Sequence, residues 1–120
     1  MKYEKLYVDF INMFPEDIKF FENRKKDTGA DEDDGMHVVF GMIIVPYIRK
    51  IVIESEEKSR KAFDFFEQME ASEDTRIAEV LEFSVLENIL SDDKELLNIY
   101  AKYYGKETKL AVDSLNKWIE

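Results

Sequence analysis

The fold is decided by the stretch Arg76-Ile77-Ala78-Glu79-Val80-Leu81-Glu82-Phe83-Ser84-Val85-Leu86-Glu87-Asn88-Ile89-Leu90. Small and apolar side chains recur along it at helical spacing and form one face: Ile77, Val80, Leu81, Ser84, Val85 and Ile89. A second apolar face contains Phe83, Leu86 and Leu90. A helix that is apolar on two sides must be covered on two sides, so we expect it at the centre of a helical domain. Its remaining edge carries Glu79, Glu82 and Glu87.

The chain length and composition predict one domain over residues 1–120. The chain has 45% hydrophobic residues, which is enough for a self-standing core. It contains no cysteine, which excludes disulfides and thiolate chemistry. The longest nearly uncharged run, 36–48, has 13 residues, whereas a membrane span needs about 20. The N-terminus lacks the apolar region of a signal peptide. These features predict a soluble cytoplasmic protein.

The net charge of −10 is concentrated in one part of the chain. Residues 62–99 contain eleven acids and only two bases, Arg76 and Lys94, which gives this segment a charge of −9. Such a segment repels nucleic acid and anionic membranes and attracts basic proteins. An acidic surface also serves solubility alone, so charge by itself leaves both interpretations open.

Periodicity and capping signals predict further helices around the central one, over 2–13, 15–26, 56–70, 93–103 and 106–119. Ser55 is the expected N-cap of helix 56–70. Asp92 and Glu95 have capping-box spacing for helix 93–103, and Gly105 ends it. The residues predicted to point inward from the last helix are Leu110, Ala111, Leu115, Trp118 and Ile119.

Residues 36–53 are the most ambiguous segment. Their β-branched composition suits strands, but alternation is absent and Gly41 and Pro46 interrupt the run. We favour a buried helix kinked near Pro46, with a short hairpin as the alternative.

The acidic loop 27–35 and the single histidine, His37, lack the patterns of three kinds of chemistry. Neither glycine of the loop places acids in the register of a calcium-binding EF-hand. Asp27-Thr28-Gly29-Ala30 matches the aspartic-protease string, but here it follows a charged segment instead of an apolar strand. His37 has no second histidine with which to hold a metal. We therefore interpret the loop as a solvated acidic turn or a contact for a basic partner, and we expect no enzyme activity, metal or cofactor.

Together these patterns predict an all-α, single-domain bundle of six to seven antiparallel helices. The helical pairs 36–53/56–70 and 73–90/93–103 could stack like two layers of a solenoid.

Three stretches resemble a family of small all-helical bacterial proteins that have no assigned enzymatic activity. These stretches are Phe65-Phe66-Glu67-Gln68-Met69-Glu70-Ala71-Ser72-Glu73-Asp74 with Val80–Glu87, His37-Val38-Val39-Phe40-Gly41 with Val45-Pro46-Tyr47, and Tyr103-Tyr104-Gly105-Lys106-Glu107-Thr108. Such proteins are similar to the immunity proteins encoded beside polymorphic or contact-dependent growth-inhibition toxins. The resemblance favours helix over strand at 36–53, and it implies a toxin-binding protein.

The resulting functional hypothesis is an immunity protein that binds a cognate basic toxin domain, such as a nuclease, and is a monomer when free. The predicted contacts are the acids of the loop and of the acidic edge: Asp31, Glu32, Asp33, Asp34, Glu67, Glu70, Glu73, Glu79 and Glu82. The alternative is a non-catalytic helical adaptor that binds its partner through an apolar patch. Steep salt dependence of binding distinguishes the first from the second.

Overall fold

The computed structural model describes the backbone of residues 1–119 and the side chains of residues 1–117. This part of the chain forms seven helices and no strand, which confirms the predicted all-α bundle. The helices are α1 (Leu6–Asn12), α2 (Ile18–Thr28), α3 (Met36–Glu54), α4 (Glu56–Glu70), α5 (75–89), α6 (Lys94–Ala101) and α7 (Lys106–Ile119). Single 3₁₀ turns precede the first three of them, at Tyr3–Lys5, Pro15–Asp17 and Glu32–Asp34.

Helix α3 confirms the helical interpretation of residues 36–53, and its sequence explains how it accommodates a proline. Pro46 has no N–H to donate to the carbonyl of Met42, four residues earlier. The preceding segment Phe40–Ile44 is π-helical, and Arg24 of α2 donates from Nη2 to the Met42 oxygen at 3.0 Å. The wider turn and the arginine together compensate for the lost helical hydrogen bond.

The aromatic core lies where α1 and α2 pack on α3 and α4. Phe10 is fully buried and contacts the rings of five residues, namely Phe14, Phe40, Tyr47, Phe65 and Phe66. Tyr47 also contacts Phe20 and Phe21 of α2. Aromatic pairs at these separations stabilise a core beyond the area that they bury.

Helix α5 lies against α3, and the two helices run in the same direction. His37 contacts Ser84 near the start of α3, and Arg49 contacts Asp92 near its end. Each helix contains a π-helical segment, Phe40–Ile44 in α3 and Val80–Leu86 in α5, and these segments pack against each other. The predicted inner face of α5 is buried in full, Ser84 included.

Helix α3 is long and apolar enough to cross a membrane when judged by length and composition alone. Of its 18-residue apolar stretch, 56% is buried inside the protein. Its apolar side chains Phe40, Ile43, Ile44 and Ile48 belong to the hydrophobic core, which accounts for its composition.

Two details of the prediction for α6 were wrong. Asp93 is the N-cap of α6 and accepts from the Leu96 amide at 3.0 Å, whereas Asp92 binds the side chains of Arg49 and Tyr100. Helix α6 ends at Ala101, two residues before the predicted end.

Two apolar residues expected to be covered are exposed, Phe83 by 50% and Leu110 by 58%. The predicted inward-facing side chains of Trp118 and Ile119 lie outside the described residues.

Candidate protein-binding surface

The solvent side of α5 presents an aromatic ring between carboxylates. Phe83 is 50% exposed, and Glu79 and Glu87 are exposed one turn before and after it. Residues four apart lie on the same side of a helix, so the three side chains form one strip. Arg76 is the single base in residues 75–89, and it is bound to Asp74.

On one side of this strip, α3 approaches α5 closely. His37 Nδ1 lies 2.6 Å from Ser84 Oγ, and the other ring nitrogen makes no hydrogen bond within the described residues. Gly41 lies one turn further along α3, and a Cβ there would be in ordinary contact with the Ser84 carbonyl oxygen and Asn88 Nδ2, each at 3.7 Å. His37 is exposed, and the residue it contacts is the sequence neighbour of Phe83.

The predicted acidic loop is an ordered turn that leads into α3 and His37. Asp31 Oδ1 accepts from the Asp33 amide at 2.8 Å, and Asp34 Oδ2 accepts from the Asp31 amide at 3.0 Å. This reciprocal capping box holds Glu32–Asp34 in one 3₁₀ turn. The four acids are exposed, and Glu32 forms an ion pair of 2.7 Å with Lys25. The turn therefore presents its carboxylates without further ordering.

Glu67 has a structural role within the fold. Its carboxylate accepts from the Glu107 amide and from the amide and hydroxyl of Thr108, each at 2.8 Å. It thereby caps the N-terminus of α7 from a different helix. Burial alone raises the pKa of Glu67, but these hydrogen bonds outweigh it and hold the pKa below its usual value.

Glu70 of α4 and Glu82 of α5 bring two carboxyl groups together. Glu70 Oε2 is buried and receives no hydrogen bond from a donor group, while the carboxyl of Glu82 lies at hydrogen-bonding range. Two ionised carboxylates at this range repel each other, so the contact favours the protonated form of Glu70. Burial first, and then the negative charges of Glu82, Glu107 and Glu67, raise the pKa of Glu70 to about 8.

The structure thus distributes the nine predicted contact residues over several places. Glu67, Glu70 and Glu82 meet where α4, α5 and α7 join, whereas Glu73 and Glu79 are exposed singly. Asp31 to Asp34 form the separate turn, and within residues 1–119 no hydrogen bond or ion pair links it to the other five. Of the nine, only Glu32 forms an ion pair in the described part of the chain.

Sequence reasoning placed Glu87 on the acidic edge with Glu79 and Glu82 but missed Phe83 as the exposed residue between them. Phe83 matched the apolar period and was assigned to the interior. Glu79, Phe83 and Glu87 follow one another at intervals of four residues. This spacing is the sequence signal that could have found the strip. Among the described residues, no group of three or more histidines and acids is arranged to hold a metal ion.

The fold and the surface define a class: a small all-α protein with one hydrophobic core and an uncompensated acidic face. The chain belongs to the family described as a domain of unknown function (DUF7674), whose model matches residues 8–118. No curated protein and no solved structure matches the chain.

Proposed function

We propose that this protein is an immunity protein that binds and neutralises a cognate basic toxin domain through its acidic face. The observation that carries the proposal is the concentration of charge. Residues 62–99 have a net charge of −9, and their acids on α4 and α5 form no ion pair with any base among the described residues.

Uncompensated charge of one sign raises the energy of the free protein, because neighbouring carboxylates repel each other within a Debye length of about 8 Å. A basic partner relieves this repulsion and is attracted over a longer range, which increases the association rate. The resemblance, which covers most of residues 37–118, is to small all-helical proteins similar to immunity proteins, and it supports the same partner class. We further propose a cytoplasmic monomer without enzyme activity, which binds neither nucleic acid nor membrane.

The test is co-expression of this chain with the product of the adjacent reading frame, read out by growth and by complex formation. We expect the neighbouring protein alone to arrest growth, this chain to restore it, and the purified pair to bind with sub-micromolar affinity. The proposal fails if no basic protein encoded beside this chain binds it, or if binding leaves the growth arrest unchanged.

The alternative function, a helical adaptor with an apolar contact patch, is supported by a groove of about 220 Å³ between α6 and α7. It is lined mainly by Leu90, Leu97, Ala101, Tyr104 and Val112. Binding there buries apolar surface and changes little with salt, whereas binding at the acidic face weakens steeply.

A further inference from the structure

The acidic face contains an exposed aromatic residue at its centre. Carboxylates surround Phe83 on three sides, with Glu79 and Glu87 along α5 and Glu82 on the flank towards α4. His37 contacts Ser84, the residue that follows Phe83 in the sequence. An apolar centre inside a charged rim is the usual anatomy of a protein interface, and aromatic residues there contribute a large share of the affinity.

The charges around Phe83 select the class of occupant. Arg76 is unavailable to neutralise them, because its guanidinium binds Asp74 at 2.8 Å and covers the Tyr3 ring at 4.5 Å. A second copy of this chain would bring a further charge of −10 to the face, and nucleic acid would bring phosphates. A basic protein surface is the occupant that the rim attracts.

The 31–34 turn presents a second group of exposed acids, separate from the strip on α5. Asp33 and Asp34 precede His37 by four and three residues, and the capping box fixes their turn. Both acidic groups therefore lie on preformed structure. Preformed surfaces bind with a smaller loss of conformational entropy than segments that order on binding.

We propose that Phe83 is the anchor of a docking surface for a basic protein domain, which receives the phenyl ring in an apolar pocket and pairs its lysines and arginines with Glu79, Glu87 and the 31–34 turn. The proposal rests on the proposed function for the identity of the partner as a toxin. It goes further in assigning the contact to one face and one anchor.

The first test replaces Phe83 with photoreactive p-benzoylphenylalanine in the full chain, expressed in its native host. Leu110 is the matched control position, because it is exposed to a similar extent but has Lys106 one turn before it and Lys109 beside it. We expect irradiation to join position 83, and not position 110, to a protein with an isoelectric point above about 9. No crosslink to a basic protein, equal crosslinking at both positions, or a crosslinked dimer of this chain would overturn the proposal.

The second test measures the affinity of the captured protein, once purified, for Phe83→Ala and Leu110→Ala. We expect a loss of about tenfold or more for Phe83→Ala and of less than about twofold for Leu110→Ala. Circular dichroism and thermal unfolding serve to check that both variants fold. We expect both to fold, because the replaced side chains are half-exposed. Equal affinities of the two variants would contradict the assignment of the anchor.

The two proposals fail in distinguishable ways. If a toxin is neutralised equally well by wild type and by Phe83→Ala, the immunity function stands and the anchor is wrong. If a basic partner requires Phe83 but arrests no growth, the docking surface stands and the immunity function is wrong.

Discussion

At the scale of single residues, Glu70 makes stability depend on pH in the opposite sense to most carboxylates. Its pKa is raised to about 8 by burial and by Glu82, so the folded state binds a proton that the unfolded chain releases near pH 4.5. The native state binds more protons between these values. The contribution of Glu70 to the free energy of unfolding is therefore fully present below about pH 4.5 and is lost as the pH rises through about 8.

We predict that Glu70→Gln removes most of this pH dependence. A glutamine can donate to Glu82 at every pH, so the variant should gain about 1 kcal/mol at pH 9, after allowance for solvent screening, and almost nothing at pH 5. Urea unfolding at pH 5, 7 and 9 measures the effect. Glu73→Gln is the control, because it removes the same charge from an exposed position. Equal pH slopes in wild type and Glu70→Gln would show that Glu70 does not hold a proton in the folded state at neutral pH.

Glu67 shows the pH dependence of stability that is usual for carboxylates, because its pKa is lowered in the fold. Its contribution is present above its unfolded pKa and is lost as the pH falls through the lower folded value. A Cβ at Gly105 would lie 2.5 Å from the Glu67 carboxyl carbon, so glycine is required there for a close approach.

We predict that Glu67→Ala costs about 1–2 kcal/mol, because three donors at the start of α7 lose their acceptor. Gly105→Ala should cost about 1 kcal/mol in wild type by displacing the carboxylate, and clearly less in the Glu67→Ala background. Thermal unfolding of the two single variants and the double variant tests this coupling. Additive losses would mean that the two residues act independently.

At the scale of helices, Asp92 joins α3 to α6. Arg49 donates to both of its oxygens at 3.1 Å, and the Tyr100 hydroxyl donates to Oδ2 at 2.5 Å. The Asp92 side chain is only 12% exposed, so its removal leaves a buried hydroxyl and a guanidinium without their acceptor.

We therefore predict a loss of about 2–3 kcal/mol for Asp92→Ala, and about 1 kcal/mol for Asp93→Ala, which removes only the N-cap of α6. Chemical denaturation of both variants under one condition gives the comparison. If Asp92 were the N-cap, as the capping-box spacing predicts, Asp93→Ala would cost almost nothing, so a clear loss for Asp93→Ala decides between the two assignments.

The helices themselves were predictable from local patterns, whereas the contacts between them were not. The period of Ile77, Val80 and Leu81 fixes the inner face of α5 from within one segment. The cap by Glu67 joins residues about 40 positions apart, and no local signal marks it. Asp92 and Asp93 are chemically identical neighbours, and only the position of Arg49 on another helix determines which one caps α6.

The prediction of the surface failed at Phe83 for a related physical reason. A helical period assigns an apolar residue to an apolar face, but it does not tell whether another element covers that face. The π-helical segment Val80–Leu86 also widens the turn and shifts the register of side chains relative to a regular helix. The acidic composition of the region was visible in the sequence, and its arrangement around one exposed ring was not.

At the scale of the whole molecule, the charge distribution is the basis of the account. Nearly all of the net charge of −10 lies in residues 62–99, and the remaining residues are almost neutral. The ion pairs of the described residues lie mostly outside these acids, as with Lys58 on Asp17 and Arg60 on Glu56. A partner that supplies lysines and arginines would form ion pairs with carboxylates that have none among the described residues.

The most direct test of this account is the dissociation constant of the complex with the co-expressed toxin domain, measured from about 50 to 500 mM NaCl. We predict that wild type weakens by about tenfold or more over this range and that Glu79→Gln/Glu87→Gln has a shallower salt dependence. The control pair Glu22→Gln/Glu57→Gln removes the same charge from exposed positions on α2 and α4 and should keep the wild-type slope. A dissociation constant that is independent of salt, or equal slopes for the two double variants, would contradict binding through the acidic face.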